Sequence, residues 1–238
     1  MRAALIIISL VIIYFGLELG IFWYRADHSP KLVTPDQTEK SLGSGPALRY
    51  IAAGDSTAVG YGASSLEKTY TYQIAEYLSK TNTVDYENIG VIGAKTSDVL
   101  QTQISQIIAF KPDVVTISIG ANDATHLVSS DAILNNYKTI IAELEKKTSA
   151  QIYITDIPNF RAGNLLPWFY INLLEVRSEK LNPQIIALTD ARTKIVNIHD
   201  FGIYQHPKAQ IYYAADGFHP NDLGYKNWAN AFISKIQN

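Results

Sequence analysis

A serine hydroxyl attacks a carbonyl carbon only when a base takes its proton and donors meet the oxyanion that forms. Ser56, in Gly54-Asp55-Ser56, stands where a glycine-rich turn follows a short apolar run, a place from which such an attack can be made. Among the histidines, His219 is the best-placed base. In Asp216-Gly217-Phe218-His219 a carboxylate precedes the imidazole by three residues, so one turn can aim it at Nδ1 and leave Nε2 for the serine. His199, followed by Asp200, competes for the role; His28 falls in a linker, and His126 and His206 are candidate wall residues, the latter with Tyr212 and Tyr213. Asn122, in Gly120-Ala121-Asn122-Asp123, can donate through its amide, and Gly93 lets a backbone N–H approach a ligand with no Cβ in the way. Singly, each has a structural alternative: Ser56, Asn122 and His219 as helix caps, Gly93 as a hinge. Together they supply nucleophile, base, orienter and two oxyanion donors, the set an acyl-transfer site requires.

These residues can meet only if the elements that carry them end at one edge. Five β-rich runs, residues 49–53, 83–89, 113–119, 151–155 and 194–198, alternate with helical periodicity, which predicts an α/β domain with a mainly parallel five-stranded sheet. Ile133, Leu134, Tyr137, Ile140, Ile141 and Leu144 share one helical face, with Ser130 or Asp131 as cap. Val99, Leu100, Ile104, Ile107 and Ile108 form a second stripe before Pro112, and residues 223–236 form a terminal helix after His219-Pro220-Asn221. The expected architecture is a three-layer sandwich, in which ligands gather at the carboxyl ends of the strands. Ser56, Gly93 and Asn122 each follow such an end. Residues 157–170, with Pro158, Arg161, Trp168 and Phe169, have the composition of a mobile aromatic rim.

At Gly54-Asp55-Ser56, Gly93, Gly120-Ala121-Asn122-Asp123 and Asp216-Gly217-Phe218-His219 the sequence resembles the SGNH or GDSL family of serine esterases and lipases, whose four blocks occur here in order. The resemblance implies a flavodoxin-like α/β/α sandwich with Ser56 as nucleophile and Asp216 and His219 as its triad partners. It also implies an oxyanion hole from the N–H of Ser56, the N–H of Gly93 and the side chain of Asn122. Thr57 replaces the Leu of the family motif and Ala121 a frequent Gly, neither of them a reacting group. The α/β-hydrolase elbow G-x-S-x-G is not met, since Ala58 stands where its last Gly would be. The expected reaction is hydrolysis of a carboxylic ester, of a lipid or an O-acetylated glycan, without a cofactor or metal. An O-acyltransferase of the cell envelope, or a catalytically silent carbohydrate-binding module, would use the same cleft.

Twenty Lys and Arg against 22 Asp and Glu leave a formal charge of -2, without the cationic surplus of a nonspecific nucleic-acid binder. With no cysteine, the chain has no disulfide, thiolate metal site or cysteine nucleophile. Residues 3–24 are an almost unbroken apolar run, interrupted by Glu18 and closed by Trp23, Tyr24 and Arg25. At about 1.5 Å per residue such a run covers roughly 33 Å, the span of a bilayer core. The expected organisation is a membrane anchor or uncleaved signal over residues 1–25, a Pro- and Gly-containing linker over 26–47, and the hydrolase domain over 48–238. The domain is expected outside the cytoplasm, held by a single-pass helix or secreted after cleavage.

Overall fold

The structure, a computed structural model, describes residues 2–37, 40–200 and 208–237. Helix α1 (Arg2–Asp27) precedes strands β1 (Lys40–Leu42) and β2 (Ala47–Gly54), the short α2 (Ser56–Val59), α3 (Tyr70–Leu78) and β3 (Thr83–Asn88). The one-turn α4 (Thr96–Asp98) leads through a π-helical turn at Val99–Gln103 into α5 (Ile104–Phe110). Then come β4 (Val114–Ser118), α6 (Ala121–Thr125), α7 (Ser130–Lys147), β5 (Gln151–Thr155), α8 (Trp168–Ile186), β6 (Thr193–Val196) and α9 (Asp222–Ile236).

The sheet runs β1-β3-β2-β4-β5-β6, and every neighbouring pair is parallel except β1 with β3. Its five parallel strands follow the flavodoxin order, in which the first strand lies between the second and third and the ligand crevice opens where the winding reverses. The alternation of side chains along each strand fills two cores. Ile51, Ala53, Val115, Ile117, Ile152 and Ile154 face α5, α7 and α8 through Ile107, Tyr137, Leu144 and Leu174. Tyr50, Ala52, Val114 and Tyr153 face α3 and α9 through Tyr70, Ile74, Trp228 and Phe232.

The sheet has six strands, not five. The additional one, β1, lies in the segment expected to be a linker, and its pairing Lys40↔Tyr86 to Leu42↔Val84 closes the β3 edge. Three residues flanked by Gly43 and Gly45 carry too little alternation to announce a strand; the open edge of β3 makes it one. The linker is otherwise laid on the domain as well: Gly62 N–H donates to the Val33 carbonyl at 2.9 Å, and Gln37 Nε2 to the Val59 carbonyl at 2.8 Å. The cap of α7 is Ser129, one residue before the expected pair, and its hydroxyl accepts from Ala132 N. Part of the expected rim, from Trp168 onward, is the first turn of α8.

Candidate active site

The Ser56 turn is built by three local constraints. Gly54 ends β2 at φ +126°, and a Cβ there would lie 2.0 Å from the Ser118 carbonyl of β4, so only glycine lets the two strand ends run this close. Asp55 caps α2 by accepting from Thr57 N at 2.8 Å. Ser56 then occupies the first helical position, where a backbone N–H has no helical acceptor. From the other side, buried Gln103 of the π turn binds both peptide groups of Gly54, taking its N–H at 2.8 Å and donating to its carbonyl at 2.9 Å. Thr57, at the motif's Leu position, donates to Asp55 Oδ1 and meets Ser118 Oγ, both at 2.7 Å. Burial pushes the Asp55 carboxyl up to about 6 against those bonds from Thr57.

Ser56 Oγ lies 2.9 Å from His219 Nε2, and His219 Nδ1 lies 2.6 Å from Asp216 Oδ2. Asp216 Oδ1 also accepts from the N–H groups of Phe218 and His219 at 2.9 and 3.0 Å. Burial pushes its pKa up, but the bonds from His219 and Phe218 outweigh it and hold the carboxyl below its ordinary value. An ionised carboxylate only accepts, so Nδ1 carries the proton and Nε2 is free to accept from the Ser56 hydroxyl. The rings of Tyr61 and Phe218 stand edge-on to the imidazole, with centroids 4.9 and 5.1 Å away. His219 does not cap α9; Asn221 does, accepting from Leu223 N and Gly224 N.

Ser56, Asn122 and His219 line one cleft of about 680 Å³, part of it open to solvent. Its walls are mainly apolar, with Phe160, Leu165, Leu166, Phe218 and Trp228, and include Tyr212 and Tyr213. Asn122 donates one amide N–H to the Ala94 carbonyl at 3.0 Å, leaving its second. Gly93 sits in the adjoining turn at φ +82° with open space at its Cβ position, and among the described residues no acceptor takes its N–H. Asp123 secures this turn, accepting from Thr96 N at 2.9 Å and Thr96 Oγ1 at 2.6 Å.

His199 stands apart, near Glu175 Oε2 at 3.4 Å and Asp200 Oδ1 at 3.0 Å. Burial pulls its pKa down, but the bonds to Glu175 and Asp200 and the charges of Glu175 and Asp156 raise it to about 9. Glu175, fully buried, also accepts from Asn159 Nδ2 at 2.8 Å and Phe160 N at 2.6 Å, which fixes the cleft wall. His126 is exposed, with Nδ1 2.8 Å from the Asn122 carbonyl, and His28 stacks on Tyr24. His206 lies outside the described residues. Gln103, Glu175 and Tyr61 had no signal in the sequence, because each acts through a fold contact and belongs to no spaced motif; Asp123 stood in the Asn122 block, but its bracing of Thr96 is visible only in the fold.

A family model described as GDSL-like Lipase/Acylhydrolase matches residues 52–226. A search of curated proteins finds no match. Among solved structures, the lipase Lip_vut3 from a goat rumen metagenome is 22% identical, with TM-score 0.62 over 79% of this chain and 96% of that one. A lipase/acylhydrolase from Enterococcus faecalis is 20% identical, with TM-score 0.61 over 79% and 95%. A catalytic mutant of Axe2, an acetylxylan esterase from Geobacillus stearothermophilus, is 18% identical, with TM-score 0.62 over 82% and 96%. At these identities the likeness is one of fold.

Proposed function

The chain belongs to the GDSL-like lipase/acylhydrolase family, and from that premise we propose that it hydrolyses carboxylic esters through an acyl group carried on Ser56. The observation that carries the reading is the unbroken line from Ser56 Oγ through the imidazole of His219 to Asp216, at 2.9 and 2.6 Å. His219 Nε2 takes the hydroxyl proton as Oγ attacks the ester carbonyl, and Asp216 holds the ring and the charge it acquires. The tetrahedral oxyanion is met by the N–H of Ser56, the N–H of Gly93 and the free amide N–H of Asn122. The imidazolium returns its proton to the departing alcohol, and water then releases the acid through the same histidine. The acyl part lies in the apolar cleft between Phe160, Leu165, Leu166 and Phe218. No step calls for a metal or organic cofactor. Helix α1 holds the enzyme in a membrane with the domain outside the cytoplasm; protease protection of residues beyond Lys31 in sealed cells would contradict that orientation.

The test compares p-nitrophenyl ester hydrolysis by the parent, Ser56→Ala, His219→Ala and His199→Ala. Loss on the first two substitutions and a far smaller effect of the third is expected; a rate independent of Ser56 would overturn the mechanism. Burst release of the alcohol without acid, restored by an added glycan hydroxyl, would identify a transferase instead.

A further inference from the structure

The contacts of α1 with the domain reach well past its last turn. The one carboxylate within its apolar run, Glu18, brings Oε2 to 3.4 Å from the N–H of Trp168, the first residue of α8. The α8 N-cap is Pro167, which supplies no side-chain acceptor. One turn earlier on α1, Phe15 packs edge-on against Phe169 with centroids 4.8 Å apart. Near the end of α1, the Arg25 guanidinium donates to the Asn164 carbonyl. Phe15, Glu18, Phe22 and Arg25 fall on one helical stripe, and within the run Glu18 and Phe22 are partly covered while the residues beside them are exposed. The segment from Asn164 to Phe169 thus lies along α1 on one side, and its Leu165 and Leu166 line the cleft on the other.

The remaining surface of α1 is apolar and uncovered, with none of its most hydrophobic window buried. Beside it the rim exposes Trp168 to 63%, Leu173 to 45% and Leu127 to 47%. The Tyr170 hydroxyl, donating to the Thr125 carbonyl, ties the α8 part of this rim to the turn that carries Leu127. A helix N-terminus entering lipid leaves N–H groups unpaired, and a carboxylate within an apolar span is costly without a partner. Glu18 and the start of α8 each supply what the other lacks.

We infer that the mouth of the cleft is held at the bilayer surface. The Phe15–Arg25 stripe docks α1 along the rim, Glu18 caps α8, and Trp168, Leu173 and Leu127 enter the same leaflet as α1. Resting on the ester-hydrolase reading, this identifies the substrate class as acyl esters of membrane-resident amphiphiles, whose acyl chain passes from lipid into the apolar cleft without crossing water.

The absence of cysteine makes introduced thiols unambiguous. In the full chain reconstituted into phosphatidylcholine–phosphatidylglycerol vesicles, a nitrobenzoxadiazole label on Leu127→Cys should be blue-shifted and quenched by shallow doxyl lipids, and one on Lys180→Cys should not. Phe15→Cys paired with Phe169→Cys should cross-link on oxidation, whereas Leu5→Cys with Phe169→Cys should not. A label at 127 as wet as that at 180, or no cross-link between 15 and 169, overturns the docking. Hydrolysis of a short soluble ester, measured on the same samples, reports separately on the hydrolase reading. With that activity intact, failure of a vesicle-borne acyl ester to compete with the soluble one would overturn the substrate class.

Discussion

At the scale of single residues, the site separates groups that react from groups that aim them. Asp216 accepts three N–H bonds and so has little freedom to turn. Asp216→Asn keeps the shape but no longer demands a proton on Nδ1, and kcat should fall on the order of 10⁴-fold, as for other triads. Asn122→Ala removes one of the proposed oxyanion donors and should lower kcat about 10²–10³-fold with a small change in KM. Steady-state kinetics on a chromogenic ester checks both, and a loss confined to KM would remove Asn122 from the oxyanion hole. The groups that the fold brings together at the cleft were legible in the sequence because the chemistry proposed for them restricts their types: a serine after a glycine-rich turn, a carboxylate three before a histidine, an asparagine at a strand end. His199 with Asp200 competed in the sequence with the better-placed His219, and the fold sets it apart further by surrounding it with Glu175 and Asp156.

At the scale of elements, strands and amphipathic helices showed in the sequence where periodicity ran for several residues, as in α7, α9 and the five parallel strands. Where structure depends on a distant partner it did not show: β1 exists through β3, and the π turn exists where Gln103 reaches Gly54. The first turn of α8, rich in aromatic residues, reads as a loop because its first N–H group is met by Glu18 from α1 and by no local cap. Gln103→Leu leaves the N–H of Gly54 buried without its partner, while its carbonyl keeps the N–H of Val91. The expected loss is about 1–3 kcal/mol for the unpaired group, read as a lower urea midpoint, accompanied by a fall in kcat as the Ser56 turn loosens. Unchanged stability would mean that the π turn does not brace the strand end.

At the scale of the whole molecule, residues 28–47 do more than link α1 to the domain. Residues 33, 37 and 40–42 bind the Ser56 turn and the open sheet edge, so a chain starting at residue 48 should melt at a lower temperature than one starting at residue 28. Equal melting points would make the segment a passive linker. Stability should also fall as pH rises. Burial raises Asp156 to about 7 despite N–H bonds from His199 and Ile198. The folded state therefore holds a proton that the unfolded chain, with its carboxyl near 4, releases, and stability declines between about pH 4 and 7. His199, raised to about 9, contributes stability that is complete below about pH 6.5 and lost as pH passes 9. Urea midpoints across this range should fall, with Asp156→Asn flattening the lower arm and His199→Gln the upper; a midpoint that rises through pH 4–7 would reverse the assignment.

The most direct measurement is peptide mass spectrometry of the protein quenched during turnover of a slow ester. An acyl mass on the peptide containing Ser56, absent when Ser56 is alanine and still present when His199 is replaced, is the predicted result. Full turnover with no such adduct trapped, or an acyl group carried on another residue, would contradict it.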